Sequence, residues 1–94
     1  DSNPVIQIGR DADNSVVLRG NSASRHHANI KRRGNEIVFT DTSTNGTFVS
    51  FKNEGPYLLL IKGECILHGS GVLSFSTSDP LTGIGTTSAK FEVL

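Results

Sequence analysis

Methionine and tryptophan are missing from the 94 residues, cysteine occurs once, and neither sign of charge is in excess. Each shortage excludes something. A lone Cys65 rules out an internal disulfide and fits a reducing, intracellular setting. Nine Lys and Arg against nine Asp and Glu remove any whole-molecule attraction to nucleic acid or to membranes. An anion would have to be held by a local cluster. Arg10, Arg19, Arg25, Lys31, Arg32 and Arg33 provide the material for one early in the chain. No apolar run approaches the roughly 20 residues that cross a bilayer. A positively charged start leading into an apolar segment is also lacking, so a signal peptide is not expected. The chain opens on Asp1 rather than Met, the start expected of a fragment of something longer.

What remains is the make-up of one small folded domain over residues 1–94, since two would leave neither with a core of its own. At this length roughly 60% of the unfolded surface can be buried, so the margin of stability is thin. The 35% hydrophobic and 19% charged content belongs to folded chains rather than disordered ones. Ten glycines point to a turn-rich β architecture.

The apolar stretches are short and separated by turn residues. Nine strands are predicted: Val5 to Ile8, Val16 to Leu18, His26 to Lys31, Ile37 to Phe39, Phe48-Val49, Tyr57 to Ile61, Cys65 to His68, Val72 to Phe75 and Ala89 to Val93. Alternation places Ala28 and Ile30 on one face. Tyr57 to Ile61 has a helical composition, but Pro56 and Gly63 leave it too short for a helix. Ser76 to Ser88, with Pro80, Gly83 and Gly85 among Ser and Thr, is the stretch expected to be least ordered. The expected architecture is an all-β, antiparallel β-sandwich.

Three polar clusters stand at the ends of these strands: Gly9-Arg10, then Ser24-Arg25-His26-His27, then Asp41-Thr42-Ser43-Thr44-Asn45-Gly46-Thr47-Phe48-Val49. In this order they resemble the forkhead-associated (FHA) domain, a sandwich of the FHA/SMAD-like type that binds phosphothreonine peptides. The resemblance covers residues 5 to about 50 well and the remainder loosely. It implies a non-catalytic recognition module with no cofactor, whose partner is a phosphothreonine-containing protein or peptide.

A phosphothreonine brings about −1.5 to −2 charges and three acceptor oxygens. A neutral domain meets it with a guanidinium, several neutral donors and loops that hold them rigidly. The resemblance gives Arg10 and the Ser24 hydroxyl to the phosphate and makes Arg25 a further donor. It sets Thr44 beside the phosphate and the threonine methyl, and has Asn45 bond the peptide main chain. Gly9, His27 and Gly46 match residues that shape the loops without touching ligand.

Each position also has a plainer reading. Arg10 could be a solvated surface arginine, and Ser24 with His27 a local loop pin. Asn45-Gly46 is the strongest short hairpin signal a sequence offers, which would make it a type I′ turn without a ligand. The joint occurrence favours the binding site, because folding needs hairpin turns but not all of these side chains.

Other constellations are weaker. Cys65 and His68 are three apart, hence on opposite faces of a strand, so no metal site is expected. Ser24, His27 and Asp41 supply the residue types of a hydrolase triad without the strained Gly-x-Ser-x-Gly turn. Lys31-Arg32-Arg33 lacks neighbouring aromatics and reads as a solvated turn rather than a nucleic-acid patch.

The chain departs from the family pattern in three places. Only Asp1 to Pro4 precede the Gly-Arg strand, where the family has a leading hairpin; either a fragment omits it or the fold is trimmed, leaving an open edge. Ser50 replaces an asparagine often found after the third cluster, ahead of a longer connection over Phe51 to Pro56. Ser22 is neutral where some relatives carry a basic residue that reads acidic side chains downstream. The trimmed edge carries the alternative function, a structural or assembly domain that has lost phosphopeptide binding and associates through its sheet face or edge.

Overall fold

Turn residues cut the chain into strands too short for anything but a layered β fold. The computed structural model describes residues 4–18, 23–75 and 88–93. Its strands are β1 (Val5–Gly9), β2 (Val16–Val17), β3 (Ala28–Arg33), β4 (Glu36–Asp41), β5 (Thr47–Phe51), β6 (Leu58–Leu60), β7 (Glu64–Leu67), β8 (Ser70–Ser74) and β9 (Ser88–Glu92). They form a five-stranded sheet in the order β2-β1-β3-β4-β7 and a four-stranded sheet in the order β6-β5-β8-β9. All nine expected strands are present, with ends shifted by a few residues. The stretch expected to be least ordered lies, apart from Ser88, outside the described residues.

Alternation packs the two sheets together. Ile8, Ala28, Phe39 and Leu67 from the first sheet meet Val49, Leu73 and, just past β8, Phe75 from the second. Phe39 and Phe75 are wholly buried, their rings tilted at 6.5 Å. Such interdigitating inner faces supply most of the favourable free energy, at about 25 cal/mol per Å² of apolar surface removed from water.

Two connections differ from the sequence reading. β1 and β2 pair in parallel, through Ile8 with Val16 and Gly9 with Val17, although all other pairs are antiparallel. Six residues between parallel strands is a very short crossover. It closes because Leu18 donates its N–H to the Gly9 carbonyl at 2.7 Å and Asn14 donates its own to Asp11 at 3.2 Å. The second difference concerns Asn45-Gly46. It joins β4 in one sheet to β5 in the other, so it is a crossover between layers and not a hairpin. Gly46 alone has a positive φ (+91°), whereas a type I′ turn needs both central residues there.

Candidate functional site

The connections at 10–15, 23–27 and 42–46 are knitted to one another by hydrogen bonds. Arg10 donates its backbone N–H to the Ser24 carbonyl at 3.0 Å, and its side-chain Nε donates to the Ala23 carbonyl. Thr44 donates its backbone N–H to Ser24 Oγ at 3.2 Å. Thr42 reaches back to the second connection twice, through its N–H to the His27 carbonyl and through Oγ1 to the His26 carbonyl, both at 2.9 Å. Arg10, Ser24 and Thr44, widely separated along the chain, thus share one rim. Arg10, Arg25, Thr44 and Asn45 are exposed and Ser24 is half-buried.

Gly9 makes this approach possible. A Cβ there would stand 1.9 Å from the Arg25 carbonyl oxygen and 2.9 Å from Asn14 Nδ2. Only a hydrogen fits, so β1 can lie directly against the second connection and deliver Arg10 beside Ser24. Gly46 has a similar role, with a φ unfavourable to side chains and with Ile61 and Leu59 packed against it.

His27 sits at the centre of the mount and is wholly buried. Its Nδ1 accepts the Ser24 backbone N–H at 3.1 Å, which leaves the ring proton on Nε2. That proton faces the Gly46 carbonyl at 3.1 Å and Thr47 Oγ1 at 3.0 Å. Burial lowers the imidazole pKa below its ordinary 6.5, opposed in part by the Asp41 carboxylate and by the bond to Gly46. A neutral ring is what this bonding pattern requires. The same contacts separate Ser24, His27 and Asp41 from a hydrolase triad. The ring engages the serine's main chain and not its hydroxyl, and it is sealed from solvent.

Asp41, also buried, is the second hub. Its carboxylate accepts from the Ser43 N–H and hydroxyl, from the Thr47 hydroxyl at 2.6 Å and from the Lys62 N–H at 3.0 Å. Ser43 Oγ in turn accepts the Gly46 N–H at 2.7 Å. The Asp41-to-Ser43 bond is an Asx turn, legible from the two-residue spacing of these types. Asn14 belongs to the mount as well, its Nδ2 donating to the carbonyls of Asp11 and Arg25 at 2.8 Å each. Both carbonyls lie in turns whose proximity only the fold reveals, so nothing in the sequence marks Asn14.

At the outer lip, Asp11, Asp13 and His26 bring one ligand-type atom each within 4.8 Å of one another, and His26 lies 3.5 Å from Asp11. Exposed acidic groups gather in this way without a metal, and their effect here is an acidic flank next to two arginines. Cys65 is half-buried against the core, whereas His68 is exposed and stacks on Phe51 at 4.5 Å.

Comparison with known proteins gives the same picture. No curated protein matches the chain. Among solved structures, it is similar to the N-terminal FHA domain of S. cerevisiae Rad53p in complex with a phosphothreonine peptide. The TM-score is 0.71 at 19% identity, over 96% of this chain and 68% of that one. An engineered FHA with a Myc-pTBD peptide is similar at a TM-score of 0.67 and 24% identity, over 96% and 67% of the two chains. At such identities the likeness shows a shared fold. The sequence itself is matched by the family model of the FHA domain over residues 6–66, past all three polar connections and well over half of the chain. On that match the protein belongs to the FHA domain family.

Proposed function

We propose that this domain binds phosphothreonine-containing peptides at the rim formed by residues 10–15, 23–27 and 42–46, and that it does so without catalysis. The observation that carries the reading is the convergence on Ser24, bonded from one side by Arg10 and from the other by Thr44. With Nε engaged by the Ala23 carbonyl, the two terminal nitrogens of Arg10 remain for the phosphate. The Ser24 hydroxyl accepts from Thr44 and still has its proton to donate. Arg25 adds positive charge, Thr44 lies beside the ester, and Asn45 bonds the peptide main chain. The FHA neighbours in complex with peptides, one of them a phosphothreonine peptide, support the same assignment.

Calorimetric titration with an oriented phosphothreonine library, beside its unphosphorylated counterpart, tests this. Arg10→Ala should cost up to about 2–5 kcal/mol of binding, toward the lower end because the side chain is exposed. Folding should persist. Wild-type protein that ignores the phosphate would defeat the proposal.

A second reading, association through a sheet edge, has one observation in its favour. Ile6, Ile30, Ile37 and Leu67 line a groove of about 590 Å³ with Phe91 and Val93, bordered by Arg32, Asn35 and Glu92, along the edge strand β9. Sedimentation over a wide concentration range would reject it by showing a strict monomer.

A further inference from the structure

Strand β6 carries apolar side chains on both of its faces. Leu60, opposite Thr47, packs on the core, whereas Leu59 pairs with Phe48 and falls on the outer face. Tyr57 sets its ring edge-on against Phe48 at 5.9 Å. Leu59 is 46% exposed and Ile61 50%. Between residues 57 and 61 this edge strand carries neither charge nor proline, the usual guards against unwanted contacts. Beyond the contacts with Phe48 and Gly46, about half of the Leu59 and Ile61 side chains is left open to solvent.

Its position gives it a use. The patch adjoins the third connection of the candidate site: a Cβ on Gly46 would meet Ile61 Cγ1 at 2.7 Å and Leu59 Cδ1 at 3.0 Å. Both are held by one carboxylate, because the Asp41 side chain that fixes Ser43 and Thr47 also accepts the Lys62 N–H just after Ile61. The loop bearing Thr44 and Asn45 and the patch of Leu59 and Ile61 therefore form one preorganised surface. Four partly exposed side chains fall well short of the about 800 Å² per partner of a stable protein interface. They suit one or two side chains of a ligand already anchored next door.

We propose that the peptide bound by this domain carries an aliphatic or aromatic residue in the segment flanking its phosphothreonine, seated on Phe48, Tyr57, Leu59 and Ile61. The proposal rests on the phosphothreonine reading and adds the chemistry of the flank. Burying one leucine side chain over half its surface corresponds to an affinity gain of about tenfold.

The test uses phosphothreonine peptides in a Gly-Ser background, with a single Leu scanned through the flanking positions and Gly as reference. One position should bind about tenfold more tightly with Leu than with Gly. That ratio should collapse toward unity in Leu59→Ser and, separately, in Ile61→Ser, two exposed sites where the change is tolerated by the fold. Peptides that bind with no Leu preference at any position would overturn the flank proposal and leave phosphothreonine recognition standing. A preference that survives both substitutions would place the apolar contact elsewhere, with the same consequence. Concentration-dependent dimerisation abolished by Leu59→Ser would make the patch a self-contact and overturn the proposal too. Failure of every phosphopeptide to bind, by contrast, would remove the parent reading itself.

Discussion

Thr44 donates its main-chain N–H to the hydroxyl of Ser24 at 3.2 Å, across 20 residues of sequence. A hydroxyl that accepts one bond is a better donor for its second, because the first polarises the O–H. Ser24→Ala therefore removes two things at once. The loop tie is worth about 0.5–1.5 kcal/mol of stability, and a bond to a charged phosphate about 1.5–3 kcal/mol of affinity. Urea unfolding reads the first and calorimetric titration the second. A stability loss with unchanged phosphopeptide affinity would reduce Ser24 to a loop tie.

The strands were readable because short apolar runs are cut by turn residues, with period-two alternation clearest in β5, β7 and β9. The parallel pairing of β1 with β2 was not, because direction is decided by how six turn residues fold back, and alternation is blind to direction. Asn45-Gly46 shows a local signal overruled by topology. The dipeptide suits a hairpin, but Thr47, Val49 and Phe51 find their partners in the opposite sheet, so the chain crosses over. Of the candidate site, the exposed polar groups stood out as clusters. The buried frame beneath them was only half visible: Asp41 with Ser43 has a local spacing, whereas Lys62 joins the frame through its main-chain N–H and the Asn14 side chain bonds main-chain carbonyls, groups that carry no residue identity.

His27 makes stability depend on pH in a definite direction. Burial holds its folded pKa below 6.5, opposed in part by Asp41 and the Gly46 carbonyl. The unfolded chain takes up a proton near 6.5 while the folded form resists it. The contribution is therefore complete above pH 6.5 and drains away as pH falls toward the folded value. Protonation would also put a hydrogen on Nδ1 facing the Ser24 N–H. Urea midpoints should drop between pH 7.5 and 5.5. His27→Gln should flatten that drop while costing about 2–3 kcal/mol at neutral pH through lost buried hydrogen bonds. An equal pH slope in wild type and variant would assign the effect to other groups.

Gly9 offers the sharpest separation between shaping a site and touching a ligand. In Gly9→Ala the new methyl would meet the Arg25 carbonyl oxygen at 1.9 Å and its carbon at 2.6 Å, both main-chain atoms that no rotamer change can move. β1 and the 23–27 connection would have to part, straining the His27 N–H bond to the Ile8 carbonyl (2.8 Å) and that of Arg10 to the Ser24 carbonyl. A loss of about 3 kcal/mol in stability is expected, at the upper end for overpacking. Phosphopeptide affinity should fall with it, because Arg10 and Ser24 are no longer held together. Gly34→Ala is the matched control. Its φ of +63° also disfavours a side chain, but nothing lies within 4 Å of the new methyl, and it sits in the β3–β4 turn. That variant should lose about 1 kcal/mol of stability and no affinity. Parallel urea and calorimetric series on the two variants would show whether β1 and the second connection must touch for the rim to bind, since only Gly9 separates them by a hydrogen's width.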